Sequence, residues 1–351
     1  MRTLAKVRPI PFPALNAYTA LNALLTLALA VVLLVAAWEA VSFLTLNAVS
    51  PSAGAARCRE SAGACWPFIS AKLHQFLYGA YPEAESWRAI AAMLLPTAGV
   101  AAAFSLRRRF GLAGFAVAAF IAIPEAFLSL AGGFGLEPVT TQLWGGLTLT
   151  LTVSYTGFAA SLPLGLLLAL GRQSSWPVPR WLSICAIEFW RGVPLVTVLF
   201  MASVMLPLFL PEGLSVNKLA RALIAIALFA SAYMAEVIRG GLRSLPQIQY
   251  EAAEALGFSY VQTLRLIILP QALRNVLPGI AGTFIGLLKD TTLVLVIGLF
   301  DFLGMIQLAT QDPAWSVPST AVTGYVFAAL IFWCLCFTIS RVSAALEHRR
   351  Q

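Results

Sequence analysis

Charged residues are scarce in this sequence: only 11% of its 351 residues are Asp, Glu, Lys or Arg, whereas 60% are hydrophobic. Soluble globular domains carry about 25% charged residues, so the composition excludes a water-soluble protein. Lysine is rarer still, and no lysine follows the G-x-x-x-x-G pattern of a phosphate-binding loop, which excludes nucleotide hydrolysis by this chain. The basic residues are scattered between apolar runs and build no basic face, so nucleic-acid binding is not expected.

Histidine and cysteine are also few: the chain has two His and five Cys, with no cluster at metal-ligand spacing. No arrangement of a nucleophile and a base is evident, which disfavours a membrane-bound enzyme. Cys58 and Cys65 lie seven residues apart in a long loop. A disulfide joins them if this loop faces an oxidising compartment, and two free thiols are the alternative.

Long apolar runs dominate what the sequence does contain. Stretches of about 17–25 residues are long enough to cross a hydrocarbon core of about 30 Å. A backbone that crosses lipid forms its hydrogen bonds within the segment, so each stretch is predicted to be a helix. The predicted fold class is an all-α membrane protein with about eight spans, at 21–43, 89–105, 111–133, 145–170, 193–211, 219–238, 276–299 and 321–340.

The Lys and Arg residues divide unevenly between the two sides of these spans. Sixteen fall on the side that holds both termini, six fall on the other side, and Lys289 falls inside a span. Cytoplasmic loops carry the excess of basic residues, so both termini are predicted to be cytoplasmic. The apolar part of the first span exceeds the roughly 7–15 residues of a signal peptide and predicts a retained anchor.

The spans form two groups along the chain. Residues 1–134 hold three spans and a long outer loop, about 44–88. Residues 141–343 hold five spans and one long cytoplasmic loop, 239–275, and a short cytoplasmic tail follows at 344–351. No internal repeat of the kind found in many secondary transporters is evident.

The cytoplasmic loop has a clear local code. The run Glu251–Leu256 consists of strong helix formers, and Gly257 is the residue type that stops a helix. Ser259 and Gln262 have the spacing of a capping box, which starts a second helix. Pro270 is expected to end or bend that helix. The predicted product is a helix, a tight corner and another helix, either a docking elbow for a partner or a well-capped connection.

This segment resembles the E-A-A loop of the membrane subunits of ATP-binding-cassette importers, with nine residues between Gly257 and Ile267. Two flanking blocks resemble the polar amino-acid permease branch of that family, and segment 63–69 with the three early spans resembles the larger, M-type permease of general L-amino-acid importers. Family members commonly have Gly-Gln where this chain has Ile248-Gln249, which leaves the entry angle of the elbow open. The matched blocks are Glu251-Ala252-Ala253, Ile267-x-Leu269-Pro270, Ala232 to Gly241 and Leu287 to Leu293.

The resemblance implies a type I importer permease core of five helices preceded by three additional helices, in the inner membrane of a bacterium. It implies an elbow that sits in a groove of an ATPase and receives its closing motion, through Glu251, Ala252, Ala253, Gly257 and Pro270. It also implies the partners: a homologous second permease, a dimeric ATPase that holds ATP and magnesium, a periplasmic amino-acid-binding protein, membrane lipid and an L-amino acid as substrate. No cofactor is expected in this chain.

Four consecutive polar residues interrupt the seventh span: Lys289, Asp290, Thr291 and Thr292. A charge at the bilayer centre costs about 2.5–3.5 kcal/mol on insertion scales. Because adjacent helical residues point about 100° apart, the Lys and the Asp cannot pair well with each other. The four residues are candidates for an amino-acid pathway. The alternative is that the two charged residues form a structural ion pair with a neighbouring span.

Tyr233 and Glu236 lie three residues apart near the inner end of the sixth span. They are candidates for an inner gate, and a structural pair of Glu236 with Arg239 is the alternative. The same spacing favours a structural pair of Glu188 with Arg191. A rival to the importer is an ion-coupled secondary amino-acid carrier, which would use intramembrane acids such as Glu125 and Asp290 as ion sites and need no ATPase.

Overall fold

A computed structural model of the protein describes residues 12–95, 127–133, 135–211 and 216–348. Within these ranges the regular structure is helical, and the extended pairings are single bridges. The early helices are α1 (Phe12–Val41), α2 (Ala55–Glu60), α3 (Trp66–Tyr78) and α4 (86–95). The later helices are α5 (Gly146–Gln173), α6 (Pro177–Gly192), α7 (Leu195–Phe200), α8 (Leu206–Phe209), α9 (Lys218–Arg243), α10 (Ile248–Ala255), α11 (Tyr260–Gln262), α12 (Leu269–Asn275), α13 (Leu277–Asp290), α14 (Phe302–Thr310) and α15 (Pro318–His348).

Five described helices are long and apolar enough to cross a membrane, and a bent pair raises the number to six. They correspond to the predicted spans at 21–43, 145–170, 219–238, 276–299 and 321–340, and the bent pair contains the predicted span at 193–211. The predicted spans at 89–105 and 111–133 lie mostly outside the described residues, and Glu125 lies outside them too. Within residues 141–343 the described candidate membrane spans therefore number five, when the bent pair counts as one span.

The bent pair consists of α6 and the segment Leu195–Phe209, which meet at 101°. Val193 separates them with extended backbone angles, φ −105° and ψ 132°. Pro194 follows it, and the residue before a proline is driven out of the helical region by the proline ring. The sharp corner is therefore encoded locally.

The described chain divides into two compact units. The first comprises Met1–Ser70 with Pro313–Thr323, and the second comprises Ala71–Asp312 with Gly324–Gln351. In the first unit the apolar side chains of α1 are exposed from residue 19 to its end. The backbone N–H of Cys65 donates to Thr323 Oγ1 at 2.9 Å, and the rings of Phe68 and Trp315 have centroids 5.8 Å apart.

The second unit is built around the packing of α5 against α9. A Cβ added at Gly165 would lie 2.8 Å from Cβ of Met234, so the glycine allows the two backbones to approach closely. Buried apolar side chains form two clusters, one towards each end of these helices. The first cluster includes Leu149, Val153, Leu199, Ile226 and Val294, and the second includes Ala169, Ile187, Met234, Ile238 and Ile268.

The start of α5 is fixed to the start of α14. Gly146 has φ +62° and its N–H donates to the carbonyl of Phe300 at 3.0 Å. Asp301 is fully buried and caps α14 by accepting from the N–H of Gly304 at 2.9 Å. Burial raises the pKa of Asp301 to about 6, although the backbone hydrogen bonds that its carboxyl accepts lower the pKa in part.

Candidate functional site

The predicted elbow is present as a helix, a corner and a second helix. Gly257 follows α10 with φ +80°. Its N–H donates to the carbonyl of Glu254 at 2.9 Å, and the N–H of Phe258 donates to the carbonyl of Ala253 at 3.1 Å. These two bonds are those of a Schellman motif. The predicted capping box is also present, because Ser259 and Gln262 exchange both side-chain to backbone bonds.

Of the two outcomes predicted for Pro270, an end or a bend of the second helix, the end does not occur. The helical path continues from Tyr260 to Asn275, because a wider π-helical segment, Thr263–Ile268, stands ahead of the proline. In a regular α-helix the proline ring would clash with the carbonyl four residues earlier. The wider turn relieves that clash, so Pro270 becomes an early residue of α12.

The two alanines of the E-A-A segment have different surroundings. Ala253 is buried and Ala252 is exposed, so only Ala252 is available for close approach by another protein. Ile248 and Leu256 flank Ala252 at helical spacing and are 64% and 76% exposed. Glu251 is also exposed. The exposed apolar side chains of the elbow, called here the elbow face, are Ile248, Ala252, Leu256, Tyr260, Val261 and Leu266.

The elbow is fastened to the span that precedes it. A Cβ on Gly241 would lie 2.6 Å from the carbonyl oxygen of Ala272, so α9 and α12 are in near contact. The side chain of Asn275 donates to Ser244 Oγ at 2.9 Å. Tyr250 packs inside the elbow, and burial, together with nearby Tyr260, raises its pKa. The elbow therefore packs directly against the end of α9.

An ion network joins this end of α9 to two other helices. Glu236 accepts from Nε of Arg239 at 2.9 Å and from Nη1 of Arg172 at 3.2 Å. Nη1 of Arg191 lies 4.0 Å from Glu236. The Glu236–Arg239 pair expected from the sequence is present, but the expected Glu188–Arg191 pair is not, because Arg172 of α5 reaches Glu188 at 2.8 Å.

Tyr233 lies on the same side of α9 as this network. It is 39% exposed, and the guanidinium carbon of Arg191 lies 5.7 Å from its ring centroid. The gate candidates Tyr233 and Glu236 are thus both tied to Arg191 of α6. The geometry accommodates the structural pairing and a gate, since opening between α6 and α9 would break these contacts.

The four polar residues of the seventh span lie where α13 gives way to a 3-10 helix, Thr291–Ile297. Lys289 is exposed, and neither it nor Asp290 forms an ion pair within 4.0 Å in the described part of the chain. The hydroxyl of Thr291 is buried and donates to the carbonyl of Leu288 at 2.8 Å, while that of Thr292 donates to the carbonyl of Lys289 at 2.9 Å. The two charges, rather than the two hydroxyls, remain available.

Two features of the site were not anticipated from the sequence. Arg172 links Glu188 and Glu236, and this role depends on tertiary packing that the sequence does not indicate. Gly282 and Gly286 have open space around them, and with Lys289 they form one face of α13. The Gly-x-x-x-Gly spacing was a readable signal for that face.

The early loop contains a disulfide. Cys58 and Cys65 are joined by a disulfide with their Cα atoms 5.4 Å apart, and both are buried. Among the described residues no group of three His, Cys, Asp or Glu side chains could hold a metal ion.

A family model described as "Binding-protein-dependent transport system inner membrane component" matches residues 161–351. The chain is 53% identical over 292 residues to the inner membrane amino-acid ABC transporter permease protein YhdY of Escherichia coli K12, covering 82% of this chain and 78% of the relative. It is 41% identical over 349 residues to the glutamate/glutamine/aspartate/asparagine transport system permease protein BztC of Rhodobacter capsulatus, covering 83% and 80%. A crystal structure of an amino acid ABC transporter with histidines superposes with a TM-score of 0.52 and 30% identity, covering 58% of this chain and 92% of that chain.

Proposed function

This chain belongs to the family of inner-membrane components of binding-protein-dependent transport systems, and we propose that it is the permease subunit of an ATP-driven importer for L-amino acids. The membership confirms the resemblance drawn from the E-A-A segment. The chain is therefore a multi-pass inner-membrane protein with the type I permease fold. The remaining assignments concern its partners, its pathway and its orientation.

The elbow face carries the proposal that an ATPase drives this chain. Large apolar side chains rarely lie together on an exposed loop unless a partner covers them. Ile248, Leu256 and Val261 are each more than 60% exposed on a segment that the charge distribution assigns to the cytoplasm. The Schellman motif and the capping box hold this face in one conformation, and α9 receives any displacement of it.

A second, homologous permease fits the open face of α13. Gly282 and Gly286 have nothing within 4 Å of an added Cβ, which allows the backbone of another helix to approach closely. Lys289 lies on the same face and brings a charge that has no ion partner in the described chain. A lipid tail cannot compensate this charge, whereas a polar group of a partner helix or a substrate can.

Amino acids are the substrate class that the names of the two relatives indicate. A zwitterion carries one group of each sign, and Lys289 with Asp290 offers one of each sign at a break in α13. Tyr233 and Glu236 would then lie near the inner exit of the pathway. A periplasmic binding protein would deliver the substrate on the side opposite the elbow. The Cys58–Cys65 disulfide would be kept oxidised in a periplasmic loop.

The amino-terminal part is proposed to add three spans ahead of the permease core. The first of them, α1, supplies a helical window of mean hydropathy 2.5 whose residues are exposed throughout. Lipid is the surrounding that such a surface requires. The alignment with the Escherichia coli relative covers 82% of the chain, more than segment 161–351 alone, so this part is shared at least in part.

Affinity purification of the chain from its own membrane tests the proposal. We expect a second permease and an ATPase in the eluate, and ATP-driven, rather than ion-gradient-driven, uptake of amino acids by reconstituted vesicles. Gly286→Leu should remove the second permease while the matched variant Gly286→Ala retains it, because only the larger side chain blocks close approach. Uptake by this chain alone on an ion gradient would contradict the proposal and favour the secondary carrier.

A further inference from the structure

Helix α6 has one apolar exposed side and an opposite side that carries buried and charged residues. Ser183 and Ile187 are buried on the side that packs into the second unit. Val178, Trp181, Leu182 and Phe189 are 59–68% exposed, and their spacing, with that of exposed Cys185, places them in one stripe along the helix. We call these five residues the apolar stripe.

The charged residues of α6 lie away from the apolar stripe. Arg180, Glu188 and Arg191 are all exposed, and at 100° per residue Arg180 and Arg191 lie on the side opposite the stripe, whereas Glu188 lies at its flank. Arg191 and Glu188 contact the ion network at the inner end of α9. Arg180 has no ion partner within 4.0 Å in the described chain.

The direction of α6 follows from the corner at its end. Leu195–Phe209 makes an angle of 101° with α6. Membrane-crossing helices tilt by about 20° on average from the bilayer normal. If Leu195–Phe209 crosses in this way, α6 runs close to the plane of the membrane. Its contacts with Arg172 and Glu236 place it on the side of the bilayer that bears the elbow.

We propose that α6 is an interfacial helix. Its apolar stripe inserts into the membrane at the boundary between headgroups and acyl chains, in the leaflet on the elbow side. An amphipathic helix in this position buries one face about 5–10 Å into the boundary and keeps its charges towards water. Trp176, at the start of the helix, and Trp181 are exposed, and indole rings favour the headgroup level. These features favour lipid over a protein partner as the occupant of the stripe.

Depth measurements with spin labels test this inference without any transport assay, so its outcome is independent of the proposed function. Cys334→Ser and Cys336→Ser leave Cys185 as the reactive thiol, because Cys58 and Cys65 are bonded to each other. Two further variants in that background replace Cys185 by Ser and introduce a single new thiol, by either Val178→Cys or Phe189→Cys. The chain is reconstituted in phosphatidylethanolamine and phosphatidylglycerol vesicles, and label depth is taken from relaxation by oxygen and by a water-soluble nickel complex.

An interfacial α6 predicts that labels at 178, 185 and 189 report shallow depths that agree within about 5 Å, one helical turn. A crossing helix would instead spread positions 178 and 189 over about 16 Å, since each residue advances about 1.5 Å, and would overturn the inference. The matched control Arg180→Cys should be relaxed chiefly by nickel, and an oxygen-dominated label there would also overturn it. So would stripe labels that lose oxygen access when a second permease is present.

Discussion

Replacing Glu236 by Gln removes the shared anion of the ion network. The carboxylate is 17% exposed and accepts hydrogen bonds from Arg172, 23% exposed, and Arg239, 19% exposed. A hydrogen bond to a charged group contributes about 1.5–3 kcal/mol, but Gln keeps one acceptor and the guanidinium groups retain some water. We therefore expect a loss of about 2 kcal/mol, or a fall in Tm of about 4 °C for the purified chain in detergent.

Glu188→Gln is the matched control, because Glu188 meets Arg172 at a shorter 2.8 Å but is 55% exposed. Exposed ion pairs contribute about 0–1 kcal/mol, so its Tm should change by about 1 °C or less. A double-mutant cycle between Arg172 and Glu236, read by thermal unfolding, should give an interaction energy of about 1 kcal/mol. Equal effects of the two Gln variants, or additive single changes in the cycle, would refute the view that burial of Glu236 makes it the centre of the network.

Three further predictions concern other parts of the chain. Burial raises the pKa of Asp301 to about 6. The contribution of this carboxyl to folding stability is therefore complete below pH 4 and is lost as the pH rises through 6. The variant Asp301→Asn still caps α14, so its Tm should change less with pH between 4 and 6. Without reductant, Cys58 and Cys65 should resist alkylation in denaturant, and replacing both by Ser should cost about 2.5 kcal/mol in thermal unfolding through the loop entropy of the unfolded chain; ready alkylation of both would contradict the bridge. Gly257→Ala should lower the stability of the elbow by about 1–2 kcal/mol, because a side chain at φ +80° is strained even in open space. Limited proteolysis should then cleave the elbow faster than in the unmodified chain. Unchanged proteolysis would contradict the Schellman corner.

Local chemistry made the elbow predictable from the sequence. The helix formers, Gly257 and the pair Ser259 and Gln262 act within a few residues of each other, so their effect does not depend on the remainder of the fold. Apolar run length likewise identified the spans, because lipid imposes the helix on any such segment. Whether Pro270 ends the second helix could not be predicted, because the outcome depends on a π-helical segment ahead of it.

Tertiary packing determined what the sequence could not indicate. Nothing in the spacing of α6 indicates that Glu188 meets Arg172, because the two residues are brought together by the turn between α5 and α6. Pro194 signals a break, but not a bend of 101°. The intramembrane charges Lys289 and Asp290 could be recognised as unusual from the sequence, whereas their lack of an ion partner within the described chain could be learned only from the fold.

The substitution Ala252→Arg shows whether the elbow face receives work from an ATPase. Glu254→Arg is the control, because Glu254 is exposed on the same helix about 200° away from Ala252. In vesicles containing the chain with its co-purified subunits, we expect Ala252→Arg to abolish ATP-driven amino-acid uptake and to lose the ATPase while the second permease is retained. Glu254→Arg should preserve most of the uptake. Normal ATP-driven uptake by a correctly inserted Ala252→Arg chain would show that the elbow face does not receive work from an ATPase.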